Sequence, residues 1–91
     1  MLGEMSVLVG NIEQVKDAFA PGVIVVAGDS KIIWDSTKVD EVEAAEDTFK
    51  KLKKKGYAAY SVKKGGEKGE VLHAFDAQVE KIIMAPARVG G

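Results

Sequence analysis

Gly90 and Gly91 close the sequence behind Arg88 and Val89. Neither glycine has a side chain, so both can thread a narrow enzyme tunnel and present the terminal carboxylate for activation. Glycine is also what any frayed terminus tolerates, so the ending acquires meaning only from the fold that carries it. A second set of residues is cationic. Lys50, Lys53 and Lys54 fall near the end of an expected helix, and Lys63, Lys64 and Lys68 fall in a glycine-rich connection. Brought together they would form a basic patch, with Tyr57 and Tyr60 as stacking groups, which is the chemistry of a nucleic-acid interface. Left apart, they are the solvated face of a helix and a loop.

Other chemistry is thinly represented. His73 is the only histidine and there is no cysteine, which removes thiolate metal sites, disulfides and thiol catalysis. His73, Asp76 and Ser61 can be written as a triad, but that needs a geometry the sequence does not show, and His73 reads as a structural or surface-exposed residue of an alternating strand. The stretch Lys63-Lys64-Gly65-Gly66-Glu67-Lys68-Gly69 could hold a phosphate on its amides. It lacks the Walker spacing and opens no helix, so it reads as a hairpin loop. No pair of carboxylates sits where apolar neighbours would tune it for acid or base work. A non-enzymatic protein without a metal or cofactor is therefore expected.

Composition bounds the partners. A net charge of -1 on 91 residues provides no global attraction to nucleic acid or to an anionic membrane. Nucleic acid and membrane are not expected partners. Hydrophobic residues at 46% and charged residues at 30% describe one foldable domain with a single core. No apolar run reaches the length of a membrane span and no basic leader opens the chain, so a cytoplasmic protein is expected.

The elements that must position these groups are read from punctuation and period. Ser6 to Val9 form a short apolar run ended by Gly10, and Asn11 can cap a helix over 12–19 with Ile12, Val15 and Phe19 on one face. Residues 1–22 read as an N-terminal strand and helix arm. The β-branched run Val23-Ile24-Val25-Val26 and the segment Lys31-Ile32-Ile33-Trp34-Asp35 read as a hairpin turning at Gly28-Asp29-Ser30, with Trp34 as a core anchor. A helix is expected over 40–55, capped by Asp40 with Glu43 and stopped at Gly56. Its stripe is Val42, Ala45, Phe49 and Leu52. Its acidic start and basic end complement the helix dipole. A second hairpin follows over 57–62 and 70–75, and a last strand over 81–85 ends at Pro86. The expected domain covers 23–85, with 86–91 as a tail.

Strand, strand, helix, strand, strand, strand describes an α+β domain whose mixed sheet packs on one amphipathic helix. This ββαβββ order, together with the Arg88-Val89-Gly90-Gly91 ending, resembles the β-grasp modifiers of the ubiquitin-like family. The resemblance implies a last strand leading into a tail whose carboxylate is adenylated by an activating enzyme. The tail is then passed to a lysine of a target protein or used as a sulfur carrier. The implied conjugation tail is Arg88, Val89, Gly90 and Gly91. The alternative expectation is a homo-oligomeric assembly subunit, such as a virion or filament component, in which the apolar 23–26 strand and the two ends contact copies of the same chain. A nucleic-acid-binding module built on the lysines is the third.

Overall fold

The computed structural model describes residues 1–62 and 68–87, with Lys68 described by its backbone alone. Five strands and a long helix form an α+β domain: β1 (Leu2–Val9), a short helix α1 (Ile12–Val15) running into a 3-10 turn (Lys16–Ala18), β2 (Gly28–Asp35), α2 (Val39–Lys54), β3 (Tyr57–Val62), β4 (Lys68–Leu72) and β5 (Lys81–Pro86). The sheet order is β2-β1-β5-β3-β4. β1 and β5 are parallel neighbours, while the other adjacent pairs are antiparallel.

The first strand is not the expected one. β1 pairs along its whole length with β2, from Leu2 opposite Asp35 to Val9 opposite Gly28. Its alternation explains this: Gly3, Met5, Val7 and Val9 are buried on one face, whereas Leu2 and Leu8 are exposed on the other. Residues 23–26 form no strand. Val23, Ile24 and Val26 are exposed, and only Val25 of this run packs partly buried against the core. The hydroxyl of Ser30 holds this segment in place, accepting from the Val26 N–H at 2.9 Å and donating to the Val26 carbonyl at 2.8 Å. Residues 1–22, expected as an appended arm, supply Met5, Val7, Val9, Val15, Ala18 and Phe19 to the core.

Helix α2 buries Ala45, Thr48, Phe49 and Leu52 against the sheet, with Val42 half-buried beside them. The expected Asp40–Glu43 capping box is absent, since the helix begins one residue earlier, at Val39. The start is organised instead by Asp35, whose carboxylate accepts from the Thr37 N–H and hydroxyl. Glu41 reaches back to accept from the Asp35 N–H at 3.0 Å. Gly56 stops the helix at φ +96°, a conformation that side chains disfavour. The short helix is capped by Asn11 as expected, but it tightens after Val15, so Ile12 points outward and Ala18 joins Val15 and Phe19 inside.

Candidate functional site

Two places concentrate the residues singled out above. The first is the end of β5. This strand lies inside the sheet, bonded to β1 on one side and to β3 on the other, with Ile82 and Met84 fully buried. Its register ends at Pro86 opposite Tyr57, and the Ala87 N–H then donates to the Gly56 carbonyl at 3.0 Å. Proline lacks a donor and is tolerated only where a ladder bond is dispensable, which suits the last strand position. Residues 88–91, the expected conjugation tail, lie outside the described residues.

The second place is a groove of about 380 Å³ between the C-terminal half of α2 and residues 73–75. Lys50, Lys53 and Lys54 line it from the helix, being spaced so that they share one flank, and His73 lines it from the other side. Its apolar surface comes from Phe49, Ala74 and Phe75. Phe75 packs edge-on against Phe49, ring centroids 5.8 Å apart, and lies tilted against Trp34 at 5.1 Å. Trp34 is fully buried and donates its indole N–H to the Ala77 carbonyl at 3.1 Å, so the segment after β4 is tied to the core. The expected strand over 70–75 ends at Leu72. His73 is therefore exposed in a bend rather than alternating in a sheet.

Charge along the groove is uneven. Lys50 pairs with Glu46 at 3.9 Å and Lys51 with Asp47 at 3.0 Å, the expected i,i+4 pairs. Lys55 turns away to Asp17 at 2.9 Å. That bond, with the lysine charge, holds the Asp17 carboxyl below its ordinary range. Lys53 and Lys54 have no carboxylate within ion-pair distance among the described residues.

The other sequence candidates scatter. Lys63 and Lys64 and the side chain of Lys68 lie outside the described residues. Tyr57, expected as a stacking group, is buried with its hydroxyl donating to the Leu8 carbonyl at 3.0 Å, and burial raises its pKa. Tyr60 lies three residues further along β3 and so faces the other side of the sheet. Ser61 bonds the Glu70 backbone and Asp76 accepts from the Gln78 N–H, so two members of the written triad are engaged locally. Among the described residues no group of three or more histidines or carboxylates is placed to hold a metal, and no helix is long and apolar enough to cross a membrane.

The sheet face opposite α2 presents exposed apolar side chains among the described residues. Leu2, Leu8, Ile33 and Val71 are 66%, 54%, 61% and 49% exposed. Glu4 sits among them between Lys31 at 3.8 Å and Lys81 at 3.5 Å. No family model, curated protein or solved structure matches the chain.

Proposed function

We propose that this chain is a non-enzymatic β-grasp protein of ubiquitin-like kind that acts in the cytoplasm through the carboxylate of Gly91, as a protein modifier or a sulfur carrier. The observation that carries the reading is the place of β5. An interior strand, held on both sides and bonded through Ala87, leads directly to Arg88. The strand and helix order supports it too, with β1 in the position expected of residues 23–26. In the reaction, the Gly91 carboxylate attacks the α-phosphorus of a nucleoside triphosphate on an activating enzyme and releases pyrophosphate. A lysine amine or a sulfur donor then displaces the nucleoside monophosphate. Arg88 and Val89 guide the tail, and the glycines pass where a β-carbon would not. The reading requires a free carboxylate on Gly91 in the working protein.

Tagged wild-type and Gly91→Ala proteins, expressed in the source cells, test this. Higher-mass adducts of the wild type that vanish in the variant, with the fold unchanged, support transfer. The same adducts from both proteins would count against it.

The exposed apolar side chains of this sheet face favour a second reading, a homo-oligomeric assembly subunit. Leu2, Leu8, Ile33 and Val71 would be covered by another copy. Light scattering after size exclusion would then show an oligomer that Ile33→Glu dissociates. A monomer at high concentration would exclude it.

A further inference from the structure

We propose that the groove between α2 and residues 73–75 docks an acidic peptide segment carrying one large apolar side chain. The inference does not depend on the diglycine tail. Its first support is the pairing of an apolar floor with a cationic rim. Phe75 and Ala74 form the floor over the buried Phe49 ring, and Ala74 contributes only a methyl group, leaving about 380 Å³. That is near the lower end of ligand pockets, which begin at roughly 300 Å³, and it has room for one aromatic or branched side chain with part of its backbone.

The second support is charge complementarity. The helix dipole accounts for lysines at this end of α2, but it does not account for two of them lacking an ion-pair partner, among the described residues, beside an apolar trough. Lys50 and Lys51 are partnered within the helix. Lys53 and Lys54 have no such partner among the described residues, so an incoming carboxylate need not displace one. Glu46 and Asp47, at the other end of the groove, would repel a carboxylate there. A docked segment would therefore place its acidic residues toward Lys53 and Lys54.

The third support is length. The eight steps of helix from Glu46 to Lys54 span about 12 Å at 1.5 Å each, the reach of roughly four residues of extended peptide. A single small carboxylate would engage one lysine and leave the rest of the trough empty. Single-stranded nucleic acid fits less well, because Tyr57 is buried and Tyr60 is on the other face of the sheet.

The test is a fluorescence-anisotropy titration of the full chain, at about 50 mM salt to limit screening, into a labelled hexapeptide of aspartates around a single phenylalanine. Controls are the same peptide with serine for phenylalanine and an oligonucleotide of equal charge. Saturable binding below about 1 mM is expected. It should weaken at least about tenfold with the serine peptide, with Lys53→Glu combined with Lys54→Glu, and with Ala74→Gln, which fills the trough without changing charge. Amide shifts on binding should map to residues 49–54 and 73–75. Should the double lysine variant fail to fold, Ala74→Gln and the serine peptide decide. Equal binding of the serine peptide, tighter binding of the oligonucleotide, shifts elsewhere, or no saturation would each overturn the proposal.

Discussion

The indole of Trp34 lies directly over Gly3, its register partner on β1, so closely that a β-carbon on Gly3 would collide with the six-membered ring. The two residues share the core face of the β1–β2 pair. The absence of a side chain on one strand makes room for the largest side chain on the other.

Gly3→Ala should therefore destabilise the domain by about 1 to 3 kcal/mol through overpacking, seen as a lower denaturant midpoint. Trp34→Leu alone should also destabilise. The two together should cost clearly less than the sum, since each relieves the other. Additive losses would mean that the indole is not what excludes a side chain at position 3.

Phe49 couples α2 to the core and to the floor of the groove, being fully buried and edge-on to Phe75. Truncation to alanine should cost about 3 to 5 kcal/mol, a large part of what so small a domain possesses. An unchanged thermal midpoint in Phe49→Ala would rule out this core.

The pH profile should bend at both ends. The Asp35 carboxyl is held below its ordinary 3.8 by the hydrogen bonds it accepts from the Thr37 hydroxyl and N–H. Asp17 is held below the same value by the Lys55 ammonium. A lowered folded value means that the unfolded chain takes up protons first. These contributions are complete above about pH 4 and are lost as pH falls through the folded values. The double variant Asp17→Asn with Asp35→Asn should thus lose less thermal stability than wild type between about pH 4 and pH 2.

Burial raises Tyr57 above its ordinary 10.0, so its contribution is present below about pH 10 and lost as pH rises through the folded value. Tyr57→Phe should be less stable than wild type at pH 7, by about 1 kcal/mol for the lost bond to the Leu8 carbonyl. The difference should shrink at alkaline pH. Parallel wild-type and variant curves at either end would contradict these assignments.

Helix α2 was legible because Ala45, Phe49 and Leu52 keep the helical period, and the segregated charges and Gly56 mark its ends. β1 was harder to read. Its buried face begins at a glycine and its outer face mixes Leu2 with Glu4, so only the Ser6 to Val9 part looked like a strand. Val23 to Val26 offered stronger β-propensity, but propensity is local, and pairing is decided by which segment can alternate against Gly28–Asp35. Lys50, Lys53 and Lys54 were legible as one flank of a helix. The opposite wall was not, because residues 73–75 reach the groove through the Trp34 bond to Ala77, a tertiary contact with no periodic trace in the chain.

The central claim, that the Gly91 carboxylate is the working end, is tested most directly by mass spectrometry of protein from the native source. Trypsin cuts after Arg88, so a transferred chain leaves Val-Gly-Gly on a target lysine. A sulfur carrier would instead show an intact mass with one oxygen exchanged for sulfur at Gly91. The account predicts one of these two products, and it predicts that Gly91→Ala abolishes it. Neither product under several growth conditions, with Gly91 found bearing a free carboxylate, would contradict it.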